Sequence, residues 1–286
     1  MDEPTSLQRT YRYLRIGIGA TILVVFVAVI AVSVENGALL PSISQYFYSP
    51  ARDAFVGALI AASILLFALA GRGLQRALLN AAAIFAPLIA FVSTPISGVP
   101  GCESPVGCVP GPEVVVDIDT GVTVYLVIGG ATLLALLLVV VFSKVRIGSV
   151  WVSLFIGGAV LLAVLLLRLF GHDILLSYVH FVAAATFFGL IGAAAVFNVV
   201  VPDPDNPPTR WMQVVYWIVA GGMVIDLIAV AIVVFSEQGP PPAADAVGPA
   251  VPPVFLGEAI ALILFTGFWA VQSAQKWREK NPSLPV

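Results

Sequence analysis

A polytopic bundle of membrane-spanning α-helices is the fold class the sequence predicts, and three observations predict it. Of 286 residues, 60 % are hydrophobic and only 10 % are charged, with a mean hydropathy of +1.04. An ordinary soluble domain carries roughly 25 % charged residues, so this chain lacks the charge to cover a water-exposed surface. Eight runs reach the ~20 apolar residues needed to cross a bilayer. Runs such as Ala131–Val141 do not alternate as a transmembrane barrel strand would. The whole of 1–286 reads as a single integral membrane domain.

Each span is bounded by charge, proline or glycine. The first, about 16–34, follows Arg9, Arg12 and Arg15; the second, about 54–71, starts beyond Arg52 and Asp53 and stops at Arg72. The third, about 77–94, runs from Arg76 to Pro95, and the fourth, about 121–143, from Asp119 to Lys144. The fifth, about 148–168, closes on Arg168, and the sixth, about 174–201, lies between Asp173 and Pro202. The seventh, about 211–235, begins after Arg210; the eighth, about 254–274, begins after Pro252 and Pro253 and ends before Lys276. The first run also follows basic residues and carries Ala31-Val32-Ser33 near its end, the pattern of a signal peptide. At about 19 residues it exceeds the usual apolar region of such peptides, which favours a retained helix.

Eleven of the 13 basic residues fall on one side of these spans: Arg9, Arg12, Arg15, Arg72, Arg76, Lys144, Arg146, Arg210, Lys276, Arg278 and Lys280. The positive-inside rule therefore predicts both termini in the cytoplasm, with loops 35–53, 95–120, 169–173 and 236–253 outside. A bacterial cytoplasmic membrane is the expected location. The outer loops are acidic, with Glu35, Glu103, Glu113, Asp117, Asp119, Asp173, Glu237 and Asp245, and the two longest are rich in proline and glycine. The only two cysteines, Cys102 and Cys108, share one of them and are expected to form a disulfide. A net charge of −3 excludes a general nucleic-acid field, and membrane lipids are the expected partners. No fixed-period or inverted repeat is visible.

An ionisable group inside a bilayer is a candidate for function. Asp226 in the seventh span, Glu258 in the eighth and His180 in the sixth are the three, all expected in the outer half, with Asp226 the deepest. The first outer loop adds Ser42, Ser44, Tyr46, Tyr48, Arg52 and Asp53; Arg168 and His172 follow the fifth span, and Ser93 and Thr94 end the third. Together they predict an outward-facing polar pocket. Structural roles compete: Asp53 as a helix-start residue paired with Arg52, Arg168 and His172 as interfacial anchors, His180 bound to a carbonyl. The inner half offers chiefly Asn80, Asn198 and Gln213. Tyr11, Tyr13, Trp151, Trp211 and Trp277 suit the membrane interfaces, and pairs such as Gly221/Gly222 suit close helix packing. Phosphate loop, nucleophile elbow and H-E-x-x-H are absent, no span carries a lysine for a retinal, and Asp117-x-Asp119-x-Gly121 is a weak cation motif. No cofactor is called for.

The string Ser42-Ile43-Ser44-x-Tyr46-x-x-Ser49-Pro50-x-Arg52-Asp53-x-Phe55-Val56-Gly57 resembles the first outer loop of an uncharacterised family of bacterial polytopic membrane proteins, S-I-S-x-Y-Y-(Y/H)-T-x-x-R-D-x-F-V-G. Ser93-Thr94-Pro95, His180-Phe181 with Ala183-Ala184 and Phe187-Phe188, and Glu258-Ala259 with Trp269 resemble further motifs of that family, in order. The resemblance implies a six-helix core with one shared outer site, to which the spans at 121–143 and 148–168 are an added pair. Members with histidine at the place of Tyr48 are faintly similar to the membrane hydrolases related to alkaline ceramidases and progestin/adiponectin receptors. Those hold zinc with Ser-x-x-x-His, an aspartate and further histidines. Ser44-x-x-x-Tyr48 departs from that pattern, and the two histidines of this chain cannot make a three-histidine site, though a mixed His/Asp/Glu set stays open.

Three functions follow as expectations. The first is a pocket that binds or transports a lipid headgroup or small amphiphile, with Ser42, Ser44 and Arg52 donating to an anionic group and Asp226, Glu258 and His180 setting polarity. The second is a membrane lipid hydrolase with Ser44 as nucleophile or oxyanion donor, His180 as base and Glu258 or Asp226 as acid or metal ligand. The third is a proton-coupled transporter with Asp226 as carrier.

Overall fold

The computed structural model describes residues 5–69, 73–102, 104–142, 151–204, 206–236 and 251–277. Among these, eight helices are long and apolar enough to cross a membrane. They are α1 (Ser6–Asn36), α2 (Arg52–Leu69), α3 (Gly73–Phe91), α4 (Pro112–Phe142), α5 (Trp151–Phe170), α6 (His172–Val200), α7 (Arg210–Ser236) and α8 (Pro253–Lys276), with a short 3-10 helix, Ser44–Tyr48, between α1 and α2. Arg72, Lys144, Arg146, Arg278, Lys280, Glu103, Glu237 and Asp245, used above for orientation and loop charge, lie outside the described residues.

Local chemistry sets the helix limits. Thr5 and Gln8 form a capping box that starts α1 at Ser6, well before the apolar run, and Gly37 in the left-handed region (φ 66°) ends it with its amide on Val34 O. Ile18, Ile22, Val25, Val29 and Val32 recur every three or four residues and form the buried stripe of α1, which faces α2 and α8. Pro87 sits inside α3 and has no N–H for the carbonyl of Ala83 four residues back. The Ser63 hydroxyl of α2 takes that position, donating to Ala83 O at 2.7 Å. A polar contact thus meets a backbone vacancy that the bilayer would not solvate.

Side chains at the helix ends show the antiparallel arrangement. Arg12 at the start of α1 donates to the Trp277 carbonyl after α8 (3.2 and 3.1 Å), and Gln75 of α3 donates to Asn198 of α6 (3.2 Å). Asn206 and Gln275 exchange two bonds of 2.7 Å there, and Tyr216 donates to Gln275. This is the face that holds both chain ends; the opposite, distal face holds the 3-10 helix, the disulfide loop and the α5–α6 corner. The termini face is more polar inside than the sequence suggests: Arg15, Gln272 and Gln275 are buried, with Arg15 on the Gln272 carbonyl (3.3 Å) and within 5.7 Å of the Trp269 ring. They escaped notice because each lies where a span was expected to emerge.

The core lies between α1, α2, α3, α6, α7 and α8, with α3 packed most closely on α6 and α7 on α8. Helices α4 and α5 pack on each other and on α3, and α5 also on α6. They are the least buried of the eight and expose Val124, Ile128, Leu134, Leu138 and Phe142 among others, which suits contact with lipid chains.

Candidate functional site

The distal loop is built on short-range backbone economy. Ser42 Oγ accepts from the Gln45 amide at 3.1 Å and starts the 3-10 helix. Tyr46 is fully buried, with its hydroxyl on Ser33 Oγ and on the Leu40 amide. The Tyr48 hydroxyl lies 2.7 Å from both Ser93 Oγ and Thr94 O. A phenol has one proton, so Tyr48 donates to the carbonyl and accepts from Ser93. Burial lifts the Tyr48 phenol above its usual pKa, an effect that the Ser93 bond and Arg52 partly offset. These contacts strap the loop to the end of α3.

A second strap runs to α8. Glu258 Oε1 accepts from Ser44 Oγ at 2.6 Å and Oε2 from the Ser44 amide at 3.0 Å, while the Phe255 amide donates to Pro41 O at 3.1 Å. A carboxylate accepting the first amide of a helical turn is favourable electrostatically as well as geometrically.

Arg52 and Asp53 do not pair. Arg52 reaches Asp117 of α4 at 2.7 Å and lies 4.3 Å over the Phe47 ring, while Asp53, one residue on, is exposed in the first turn of α2. Asp119, one helical face further, takes both Arg168 of α5 and His172 of α6 at 2.9 Å. Asp117 and Asp119 thus hold basic side chains instead of a cation, and this rim ties α4 and α5 to α2 and α6. The Cys102–Cys108 disulfide is formed, and Cys108 bridges Ile96 through two backbone bonds of 3.0 Å. Gly107 (φ 95°) lets that turn close; a Cβ there would stand 2.5 Å from Ile96 O.

Beneath the 3-10 helix a cavity of about 320 Å³ lies between α1, α2, α3, α6, α7 and α8, a volume at the lower end of ligand pockets. Its walls are almost wholly apolar. Lining residues Val182 and Ala185 of α6 and Ala231 and Phe235 of α7 are exposed on the membrane-facing surface, so the cavity opens sideways between the distal halves of α6 and α7. Four predicted residues meet there: Ser44, His180, Asp226 and Glu258. Thr21 and Tyr178 also line it and were missed, since a lone hydroxyl in an apolar run carries no sequence signal. Ser42, Tyr46, Tyr48, Arg52, Asp53, Thr94, Arg168 and His172 lie outside the cavity and have the structural placements given above.

His180 Nδ1 lies 2.7 Å from Val92 O. A carbonyl only accepts, so Nδ1 carries the proton and the neutral ring leaves Nε2 as an acceptor. Asp226 is 7 % exposed and has no hydrogen-bond donor among the described residues. Its Oδ1 stands 3.3 Å from where a Gly257 Cβ would be, so it is level with the first turns of α8 and beside Glu258. Asp226 is therefore no deeper than Glu258: α7 extends past the start of α8 on the distal side, and distance from the end of its own helix overstates its depth. Among the described residues no three His, Cys, Asp or Glu side chains come together as a metal-ligand group.

Comparisons with protein-family models, with curated proteins and with solved structures return no match.

Proposed function

We propose that this integral membrane protein binds or carries a membrane amphiphile, drawn sideways from the bilayer through the gap between α6 and α7. The observation that supports it is the shape and polarity of the cavity: almost wholly apolar walls, an opening onto the lipid-facing surface, and the ionisable side chains His180, Asp226 and Glu258 set in the distal halves of α6, α7 and α8. A headgroup fits that level and an alkyl chain fits the slot. The basic residues Arg9, Arg12, Arg76, Arg210 and Lys276 on the termini face favour a cytoplasmic location for both ends. The disulfide at the distal face agrees with an oxidising outer compartment. The cavity then serves the outer leaflet, and the resemblance of the first outer loop favours a bacterial cytoplasmic membrane. Under this reading the proposed donors to an anionic group, Ser42 and Arg52, lose that role, since neither lines the cavity.

A photoactivatable long-chain alcohol tests it in phosphatidylcholine nanodiscs. Labelling is expected on cavity-lining peptides of α6 and α7 and is expected to fall several-fold in Ala231→Trp, which fills the opening. Label spread evenly over α4, α5 and other lipid-facing helices, unchanged by Ala231→Trp, overturns the proposal.

The hydrolase reading draws on the 2.6 Å contact of Ser44 Oγ with Glu258. The same carboxylate also holds the Ser44 backbone amide, which favours anchoring over activation.

A further inference from the structure

We propose that the amphiphile carries a cationic ammonium head, held by Asp226 with its nitrogen against the carboxylate and its chain in the slot. The proposal rests on the cavity reading above and names the ligand class. Charge bookkeeping around the distal acids leads to it. Asp117 is matched by Arg52, Asp119 by Arg168 and His172, and Glu258 by the hydroxyl and amide of Ser44. Asp226 alone of the buried acids has no donor among the described residues, and it lines the cavity. No lysine or arginine is among the described residues that line that cavity.

An anionic head would meet two neighbouring carboxyl groups there. Two of the three lining hydroxyls are committed, since Ser44 donates to Glu258 and Thr21 donates to Ile18 O at 2.8 Å, which leaves the Tyr178 phenol as the neutral O–H donor among the described lining residues. His180 offers an acceptor nitrogen because Val92 O takes its proton. A cation is favoured in both respects, and the aromatic residues Tyr178, Phe181 and Phe188 of α6 line the same cavity, a residue class that attracts cations. A charge-assisted bond in a site shielded from water separates an ammonium from an alcohol of equal chain length by roughly 10- to 100-fold.

The test displaces the photoactivatable alcohol in phosphatidylcholine nanodiscs with dodecylammonium, dodecyltrimethylammonium, dodecanol and laurate. The wild type is expected to prefer both ammonium compounds to dodecanol by about tenfold or more, with laurate weakest. Asp226→Asn is expected to reduce that preference below about threefold, and Asp226→Glu, which keeps the charge, to retain it. Comparison within one bilayer cancels differences in partitioning. If dodecanol competes as well as the ammonium compounds, or if Asp226→Asn keeps the preference, the headgroup assignment falls while the cavity reading stands. If none of the four displaces the label, both fall.

Discussion

Removal of the Glu258 carboxylate should release the distal loop from α8. In Glu258→Ala the Ser44 hydroxyl and amide lose acceptors at 2.6 and 3.0 Å, and the ties to α8 that remain among the described residues are the Phe255 amide on Pro41 O and the contact of the Tyr46 and Phe255 rings. Hydrogen bonds to a charged group are worth ~1.5–3 kcal/mol each, so two amount to about 3–6 kcal/mol before water returns. Glu258 is half-buried, so solvent recovers part of this, leaving a net cost of about 2–4 kcal/mol. Local opening of the loop should then be favoured by about 30- to 1000-fold, at a factor of ten per 1.4 kcal/mol. The amides of Gln45, Tyr46 and Ser49, bonded to Ser42, Ile43 and Tyr46, report it directly by hydrogen exchange in nanodiscs. Ser44→Ala keeps the amide bond and should show about tenfold acceleration, between wild type and Glu258→Ala. Unchanged protection of these amides in Glu258→Ala would show that Tyr46 and Tyr48 hold the loop unaided and would refute the latch.

Two other perturbations test the fold. Ser63→Ala should leave the Ala83 carbonyl without its donor and cost about 1–3 kcal/mol, read as a lower thermal midpoint in detergent. The loss should be smaller when Pro87→Ala is already present, because residue 87 then supplies the missing N–H; equal losses in both backgrounds count against the pairing. Cys102 and Cys108 should react with a membrane-impermeant maleimide on intact cells only after reduction. Labelling that requires permeabilised cells would reverse the proposed orientation.

The eight spans were legible because length and hydropathy are local properties, whereas their ends were not. Helix α1 starts at Ser6 because Thr5 and Gln8 cap it, and α4 starts at Pro112 because proline suits a first turn and Asp117 and Asp119 project from the membrane. Polar residues in the distal half were conspicuous against an apolar background. Their partners depend on which helices adjoin, and no local pattern carries that. Ser44 and Glu258 meet across 214 residues and Arg52 and Asp117 across 65, while the neighbouring Asp53 is exposed. Arg15, read as one of the basic residues that precede the first span, is instead buried between α1 and α8 on the carbonyl of Gln272, a residue that received no reading from the sequence.

The position of α4 and α5 bears on what the rim of ion pairs accomplishes. Among the described residues, those lining the cavity come from the first loop or from α1, α2, α3, α6, α7 and α8, and none comes from the peripheral pair. Close approach of backbone and side chain attaches the pair: a Cβ on Gly121 would stand 2.8 Å from Phe91, and one on Gly129 2.7 Å from Leu161. The side chains of Arg52, Asp117, Asp119, Arg168 and His172 are all partly exposed, and such ion pairs typically contribute ~0–1 kcal/mol each. Their contribution is direction more than adhesion. Asp117 and Asp119 lie two residues apart on α4 and so face different neighbours, one pulled to α2 and the other to the α5–α6 corner. Pinned at two azimuths, α4 cannot roll against α3 without breaking one pair. That restraint fixes the distal end of α4 against α2 on one side and against the α5–α6 corner on the other.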